Sequence, residues 1–209
     1  MKKVLLVIFA IVFLCGGVLP AVEDYLDEIA NSKEVLTFFN KKDSPEKLKK
    51  FIVSVNQNLS IADVDRFAGY ILTYSKQYDM DYKLVAAIIA QESRFKVNAK
   101  SRVGALGLMQ IMPTTGKNVA QKLKLSKYSL LNPKDNIQIG VKFLSMLRSE
   151  YKGDINLMLA HYNGGYRQAE LYKAFRYFEF LRLITMQYET FNYVKKVKTN
   201  YRKISRDEV

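Results

Sequence analysis

The sequence predicts an all-α fold with a groove between helices. Three observations carry that reading. No stretch keeps the strict apolar–polar alternation of a half-buried strand, and several stretches repeat apolar residues at helical spacing. The third is size: 209 residues that are 49% hydrophobic suffice for one real core and a small appendage. Three segments are expected: an export or anchor segment over 1–22, a helical linker or small extension over 23–60, and the main helical domain over 61–205.

Met1-Lys2-Lys3 precedes an uncharged run from Val4 to Val22, and Glu23, Asp24, Asp27 and Glu28 follow directly. A basic start, an apolar stretch and acids beyond it predict export of the body from the cytoplasm. Leu19-Pro20-Ala21 is a poor cleavage site and the run is close to the minimum span of a bilayer, so signal peptide and retained membrane anchor both stand. Cys15 is the sole cysteine, which excludes an intramolecular disulfide, and Leu14 before it argues against lipidation. Residues 23–60 are polar and basic, with Ser44-Pro45-Glu46 opening a helix by cap, first-turn proline and acid. A solvated linker and a spacer both fit that stretch.

From Ile61 the pattern sharpens. Ile61, Val64, Ala68, Ile71 and Leu72 fall at helical spacing behind Ser60 as N-cap, and Tyr78-Asp79-Met80-Asp81 interrupts them. A second helix from about Tyr82 then completes a hairpin. Pro113-Thr114-Thr115-Gly116 opens a helix to about Leu123. Asn132-Pro133 opens the next, whose stripe Ile137, Gly140, Leu144, Leu147 and Tyr151 ends before Gly153. Asp154 starts a shorter helix through Asn163, which Gly164-Gly165 is expected to terminate. Lys173 to Arg182 interleaves aromatic and basic residues; an amphipathic helix with snorkelling arginines is favoured there over a base-stacking surface. Lys195 to Arg206 reads as a basic, solvated helix face.

Lys and Arg outnumber Asp and Glu 33 to 20, a formal charge of +13 that favours polyanionic partners: nucleic acid, cell wall or membrane surface. The 14 Tyr and 12 Phe suit stacking on sugars as well as on bases, so composition alone does not separate these. His161 is the only histidine and no Cys/His cluster accompanies it, which argues against a zinc site. Its default role is structural, with tuning of catalysis as the alternative.

One carboxylate stands out. Leu84, Val85, Ile88 and Ile89 recur at helical spacing, and Glu92 follows on the same apolar face near the helix C-terminus. Burial and the negative end of the helix dipole both disfavour the charged form, raise the pKa and leave the protonated carboxyl that a general acid needs. The plainer reading is an exposed Glu at a helix end. Gly104 and Gly107 in the loop that follows allow positive φ or close backbone approach.

Ala86-Ala87-Ile88-Ile89-Ala90-Gln91-Glu92-Ser93-Arg94-Phe95, followed by Ser101-Arg102-Val103-Gly104-Ala105-Leu106-Gly107-Leu108-Met109-Gln110-Ile111-Met112-Pro113, resembles the lytic transglycosylase family. These are lysozyme-like enzymes that cleave bacterial peptidoglycan. The resemblance runs from near Arg66 to about Tyr201, roughly two-thirds of the chain, and includes Tyr162-Asn163 and the closing Glu189-Thr190-Phe191-Asn192-Tyr193-Val194. It implies Glu92 as the catalytic acid and then base, with Ser101, Met109, Gln110, Tyr162, Asn163, Glu189 and Tyr193 binding the glycan. Taken alone, Met109 reads as core and Ser101 as a loop serine capping a turn. Where the family usually shows Ala-Tyr-Asn-Ala-Gly, His161 and Gly164 depart from the pattern, and the proline often found before the closing Glu is absent.

The resemblance further implies a lysozyme-like catalytic domain, peptidoglycan glycan strands as partner, no nucleic acid, and no metal or cofactor. Contact with the inner membrane would come through the amino-terminal segment. The reaction would break the bond between N-acetylmuramic acid and N-acetylglucosamine and leave a 1,6-anhydro end. Two alternatives stay open: a goose-type lysozyme, in which water replaces the muramic acid 6-hydroxyl, and a non-catalytic module that binds peptidoglycan or nucleic acid.

Overall fold

The computed structural model of the chain describes residues 45–174 and 188–206. The chain divides into two compact units, Met1–Asp43 and Ser44–Val209, and every described residue belongs to the second. The export segment, the first part of the expected linker and most of the aromatic-basic stretch after Lys173 lie outside the described residues. Among the described residues no helix is long and apolar enough to cross a membrane.

Seven helices follow one another, with no strand among the described residues: α1 (Pro45–Val55), α2 (Ile61–Gln77), α3 (Tyr82–Glu92), α4 (Pro113–Lys122), α5 (Pro133–Glu150), α6 (Ile155–Ala174) and α7 (Tyr188–Ser205). Their starts follow the local chemistry. Ser60 accepts from the Asp63 N–H, Asp81 from the Lys83 N–H, and Asn132 from Lys134 and Asp135, so each side chain satisfies a donor the helix leaves unpaired. Pro113 and Pro133 occupy first-turn positions where their missing N–H costs nothing.

α3 is the centre. It is buried from Lys83 to Ala90, and α1, α2 and α7 pack around it. The one-sided apolar face expected of this helix is therefore too narrow a description: a helix surrounded by neighbours buries every face. α5 packs on α2, α4 and α6, and α7 also touches α6.

One sequence expectation needs correction. The stretch assigned to a linker contributes α1 to the core: Leu48, Phe51 and Ile52 are buried, and Phe51 meets Phe95 edge-on at 6.4 Å. The apolar residues at helical spacing within α1 decide this, although the surrounding sequence is basic. The helix end expected at Gly164-Gly165 is found there, where the backbone leaves helical geometry. Gly165 sits at φ 76°, ψ −178°, a region open essentially to glycine alone, and the chain resumes helical geometry to Ala174.

α1 also holds the turn that ends α3. Arg94 and Phe95 both take positive φ, 50° and 59°, which costs non-glycine residues about 1–3 kcal/mol each. Phe95 is wholly buried, the Asn56 side chain donates to the Arg94 carbonyl at 3.2 Å, and the Arg94 guanidinium donates to the Val55 carbonyl at 3.2 Å. Burial and hydrogen bonds together offset the strain immediately after Glu92.

Candidate active site

Glu92 closes α3, and its helix position decides its environment. The side chain is half-buried at the end of the most deeply packed helix. Burial pushes the carboxyl from its ordinary value of 4.5 up to about 7; the tyrosine hydroxyl of Tyr193 opposes that rise and the charge of Glu189 adds to it. Tyr193 on α7 is buried, and its hydroxyl lacks a hydrogen-bond partner of ordinary geometry among the described residues. The Tyr193–Glu92 approach is thus a near contact that favours the carboxylate, not a formed hydrogen bond.

Tyr162 on α6 completes the cluster. Burial and the nearby Glu92 carboxyl raise its phenol well above the usual range, and Tyr162 in turn raises that of Tyr193. The Tyr162 hydroxyl donates to the Met109 carbonyl at 2.7 Å, tying α6 to the loop before α4. Glu92, Tyr162, Tyr193 and the exposed Glu189 are therefore electrostatic neighbours drawn from three helices.

The opposite wall is the loop from Lys100 to Met112. Isolated bridges join Lys100 to Leu106 and Leu106 to Ile111, folding it into a double turn. Ser101 Oγ accepts from the Ala105 N–H at 2.9 Å, the turn-capping role open to any loop serine. Gln110, at φ 48°, spends its side-chain amide nitrogen on the Ala99 and Gly107 carbonyls at 3.1 and 2.8 Å, leaving its amide oxygen as the acceptor.

Asn136, absent from the sequence expectations, fixes this wall. It is fully buried; its Oδ1 accepts from the Met109 N–H at 2.7 Å, and its Nδ2 donates to the Leu106 and Leu130 carbonyls at 2.9 and 2.8 Å. The signal for it was a lone amide inside the apolar stripe that carries Ile137 and Gly140. Gly107, at φ 77°, lies so close that an added Cβ would stand 2.2 Å from the Leu130 carbonyl and 2.4 Å from Asn136 Nδ2. The glycine thus serves an approach of the chain to itself.

Met109 is a correction. Its side chain is wholly buried, and a Cβ on Gly140 would lie 2.3 Å from its sulfur, so it fills the notch that this glycine leaves in α5. The methionine that the segment exposes is Met112, the N-cap residue of α4, 38% exposed. Asn163 is half-buried, two residues before the kink at Gly165, and no hydrogen bond engages it among the described residues.

His161, the residue that departs from the expected pattern, points into a second aromatic cluster. Its Nδ1 pairs with the Tyr151 hydroxyl at 2.8 Å, and its ring meets Phe143, Tyr151 and Tyr166 edge-on at 5.7–6.4 Å. Burial lowers its pKa and favours the neutral ring, against the charge of Glu150, which favours the protonated one. Among the described residues no group of His, Cys, Asp or Glu could hold a metal ion.

Residues 69–179 match the Transglycosylase SLT domain. Glu189 and Tyr193 fall beyond that match. Among solved structures, the chain is similar to the lytic transglycosylase Slt of Pseudomonas aeruginosa, determined as an inactive glutamate-to-glutamine mutant: 31% identity, TM-score 0.59, over 66% of this chain and 24% of that one. It is similar also to the 70 kDa soluble lytic transglycosylase of Escherichia coli, with 26% identity and TM-score 0.60 over 87% of this chain and 33% of that one. A complex of the 70 kDa soluble lytic transglycosylase with bulgecin A gives 26% identity and TM-score 0.61 over 90% and 34%. The chain spans between 24% and 34% of the length of these proteins.

Proposed function

Because the chain belongs to the Transglycosylase SLT domain family, we propose that it is a peptidoglycan lytic transglycosylase with Glu92 as its acid and then its base. The observation that carries the reading is the Glu92 carboxyl, half-buried at the end of α3 and raised to about 7, so that it is protonated in mildly acidic solution and still partly so at neutrality. Glu92 protonates the glycosidic oxygen between N-acetylmuramic acid and N-acetylglucosamine. The substrate's own N-acetyl group stabilises C1, positioned by Tyr162, the Gln110 amide oxygen and Glu189. Glu92, now a carboxylate, takes the proton of the muramic acid 6-hydroxyl as that oxygen closes on C1, and a 1,6-anhydro end leaves. Enzymes of this substrate-assisted kind dispense with a second carboxylate at bonding distance. Glu189 fits that scheme, because it is exposed and acts on Glu92 through its charge.

Ser101 and Asn163 line the groove as polar contacts in this reading, and Met112 supplies the apolar surface first assigned to Met109. The inactivity of the glutamate-to-glutamine mutant of the Pseudomonas aeruginosa protein accords with one indispensable carboxyl. Export of the domain, read from Lys2, Lys3 and the uncharged run behind them, would bring it to that substrate.

The test is the mass of soluble fragments released from purified peptidoglycan by the protein and by its Glu92→Gln form. Fragments one water lighter than reducing-end muropeptides, lowered at least about a hundredfold in the variant, are the expected result. Reducing-end fragments would make the protein a lysozyme. No fragments from a folded protein that still binds the wall would make it a binding module.

A further inference from the structure

The turn that follows Glu92 is tied to α1 by two hydrogen bonds, and α1 lies ahead of residues 69–179, the stretch that matches the family. The Val55 carbonyl belongs to the last turn of α1, whose carbonyls lack helical donors, and the Arg94 guanidinium supplies one. The Asn56 N–H continues the ladder of that helix to the Ile52 carbonyl at 3.0 Å. Its side-chain oxygen accepts from the Asn58 N–H at 3.2 Å, which fixes the amide with its nitrogen toward the Arg94 carbonyl. Behind the two ties stands the edge-on contact of Phe51 with Phe95.

On the α3 side the ladder runs on to Ser93, whose N–H donates to the Ile89 carbonyl at 3.0 Å. The strain begins one residue later, at the positive φ of Arg94 and Phe95. A strained pair persists only where its surroundings over-determine it. Freed of the ties, both residues relax toward negative φ, and the part of the chain that yields is the last turn of α3, because helix ends fray first. Glu92 stands in that turn. α1 packs on α7 as well, the helix that carries Tyr193, so one element meets both of those that surround the carboxyl. We propose that Asn56 and Arg94 are positioning residues for Glu92, a clamp between α1 and the turn after α3 that fixes the orientation of the acid, so that the catalytic unit begins at α1. The proposal rests on the reading of Glu92 as the acid and extends its machinery to residues outside the family match.

Asn56→Ala removes the tie to the Arg94 carbonyl. For the full-length protein acting on isolated glycan strands, kcat is expected to fall about tenfold with KM within about twofold of native. The alkaline limb of the kcat/KM profile is expected about one pH unit lower, as water reaches the carboxyl. Adding Arg94→Gly to Asn56→Ala should return the limb to its native position, since glycine takes positive φ without strain. Ile52→Val, a buried change in α1 that lowers stability and leaves both ties in place, should not move the limb. An unmoved limb in Asn56→Ala, whatever its stability, would make the ties structural only, and a limb moved equally by Ile52→Val would trace the effect to stability; either overturns the proposal. Should the native protein release no fragments, the transglycosylase reading fails separately. The clamp is then decided by the titration of the Glu92 side-chain carbon resonance. A midpoint lowered in Asn56→Ala and restored by Arg94→Gly supports it, and an unmoved midpoint refutes it.

Discussion

The two walls that meet at Glu92 are built on opposite principles. The loop wall, Lys100 to Met112, has its polar groups tied: Ser101 to Ala105, Gln110 to Ala99 and Gly107, and Asn136 to three backbone groups at once. The helical wall, α6 with α7, leaves Thr190 and Tyr193 hydroxyls buried without a partner among the described residues. There Gly164 has no room for a Cβ, which would stand 2.8 Å from Thr190 Oγ1 and 2.4 Å from Gln168 Cγ. A saturated wall fixes geometry, whereas the unpaired Tyr193 phenol close to the Glu92 carboxyl can answer a change in its charge. One wall is held fixed and the other bears on the Glu92 carboxyl.

Breaking the saturated wall should have the largest effect. Asn136→Ala strands the Met109 N–H and the Leu106 and Leu130 carbonyls, groups that each cost about 1–3 kcal/mol when buried unpaired; water entering the space satisfies part of this. A loss of about 4 kcal/mol in unfolding free energy is expected by denaturant titration. An Asn136→Ala protein within about 1 kcal/mol of the native one would show that the loop is held by something else.

Glu92→Gln sharpens the contrast from the other side. The carboxyl titrates at about 7 when folded against an ordinary 4.5, so the folded state holds the extra proton between these values. Native stability is therefore highest below the lower value and falls as pH rises through the upper one, by about 3 kcal/mol at the limit. Glutamine carries no charge. The variant should be more stable than the native protein by roughly 3 kcal/mol at pH 8 and by only about 1 kcal/mol at pH 5, measured by thermal unfolding at both.

Tyr193→Phe has the smallest effect on stability and separates tuning from support. Removing a buried hydroxyl that has no partner leaves stability within about 1 kcal/mol or raises it. The same change removes a group that favours the Glu92 carboxylate, so the alkaline limb of the kcat/KM profile should move to higher pH, with kcat down about tenfold. A stability loss of several kcal/mol with an unmoved limb would make Tyr193 a packing residue only.

Elements governed by local chemistry were legible in the sequence, and those governed by tertiary contact were not. Ser60, Asn132 and the prolines after Met112 and Asn132 announced their helices because capping is a matter of a few adjacent residues. Around Glu92 the spacing alone left an exposed glutamate as the plainer reading, and it was the resemblance of the surrounding segment that singled the residue out. α1 was hidden as core because its basic flanks mask three buried residues, whereas Gly164-Gly165 marked a helix end through the conformational freedom of glycine. Met109 and Met112 stand three apart in an aperiodic loop, where no spacing rule says which one turns inward. Asn136 needed the loop it binds, 27 to 30 residues away, to be seen beside it.

The most direct measurement is the titration of the Glu92 side chain itself, by the carbon resonance of a selectively labelled glutamate, assigned by its disappearance in Glu92→Gln. A midpoint at about 7, moving up in Tyr193→Phe and down in Glu189→Gln, is the predicted result. A midpoint near 4.5 that neither substitution moves would mean a solvated carboxylate at a helix end, and the acid at the centre of this site would not exist.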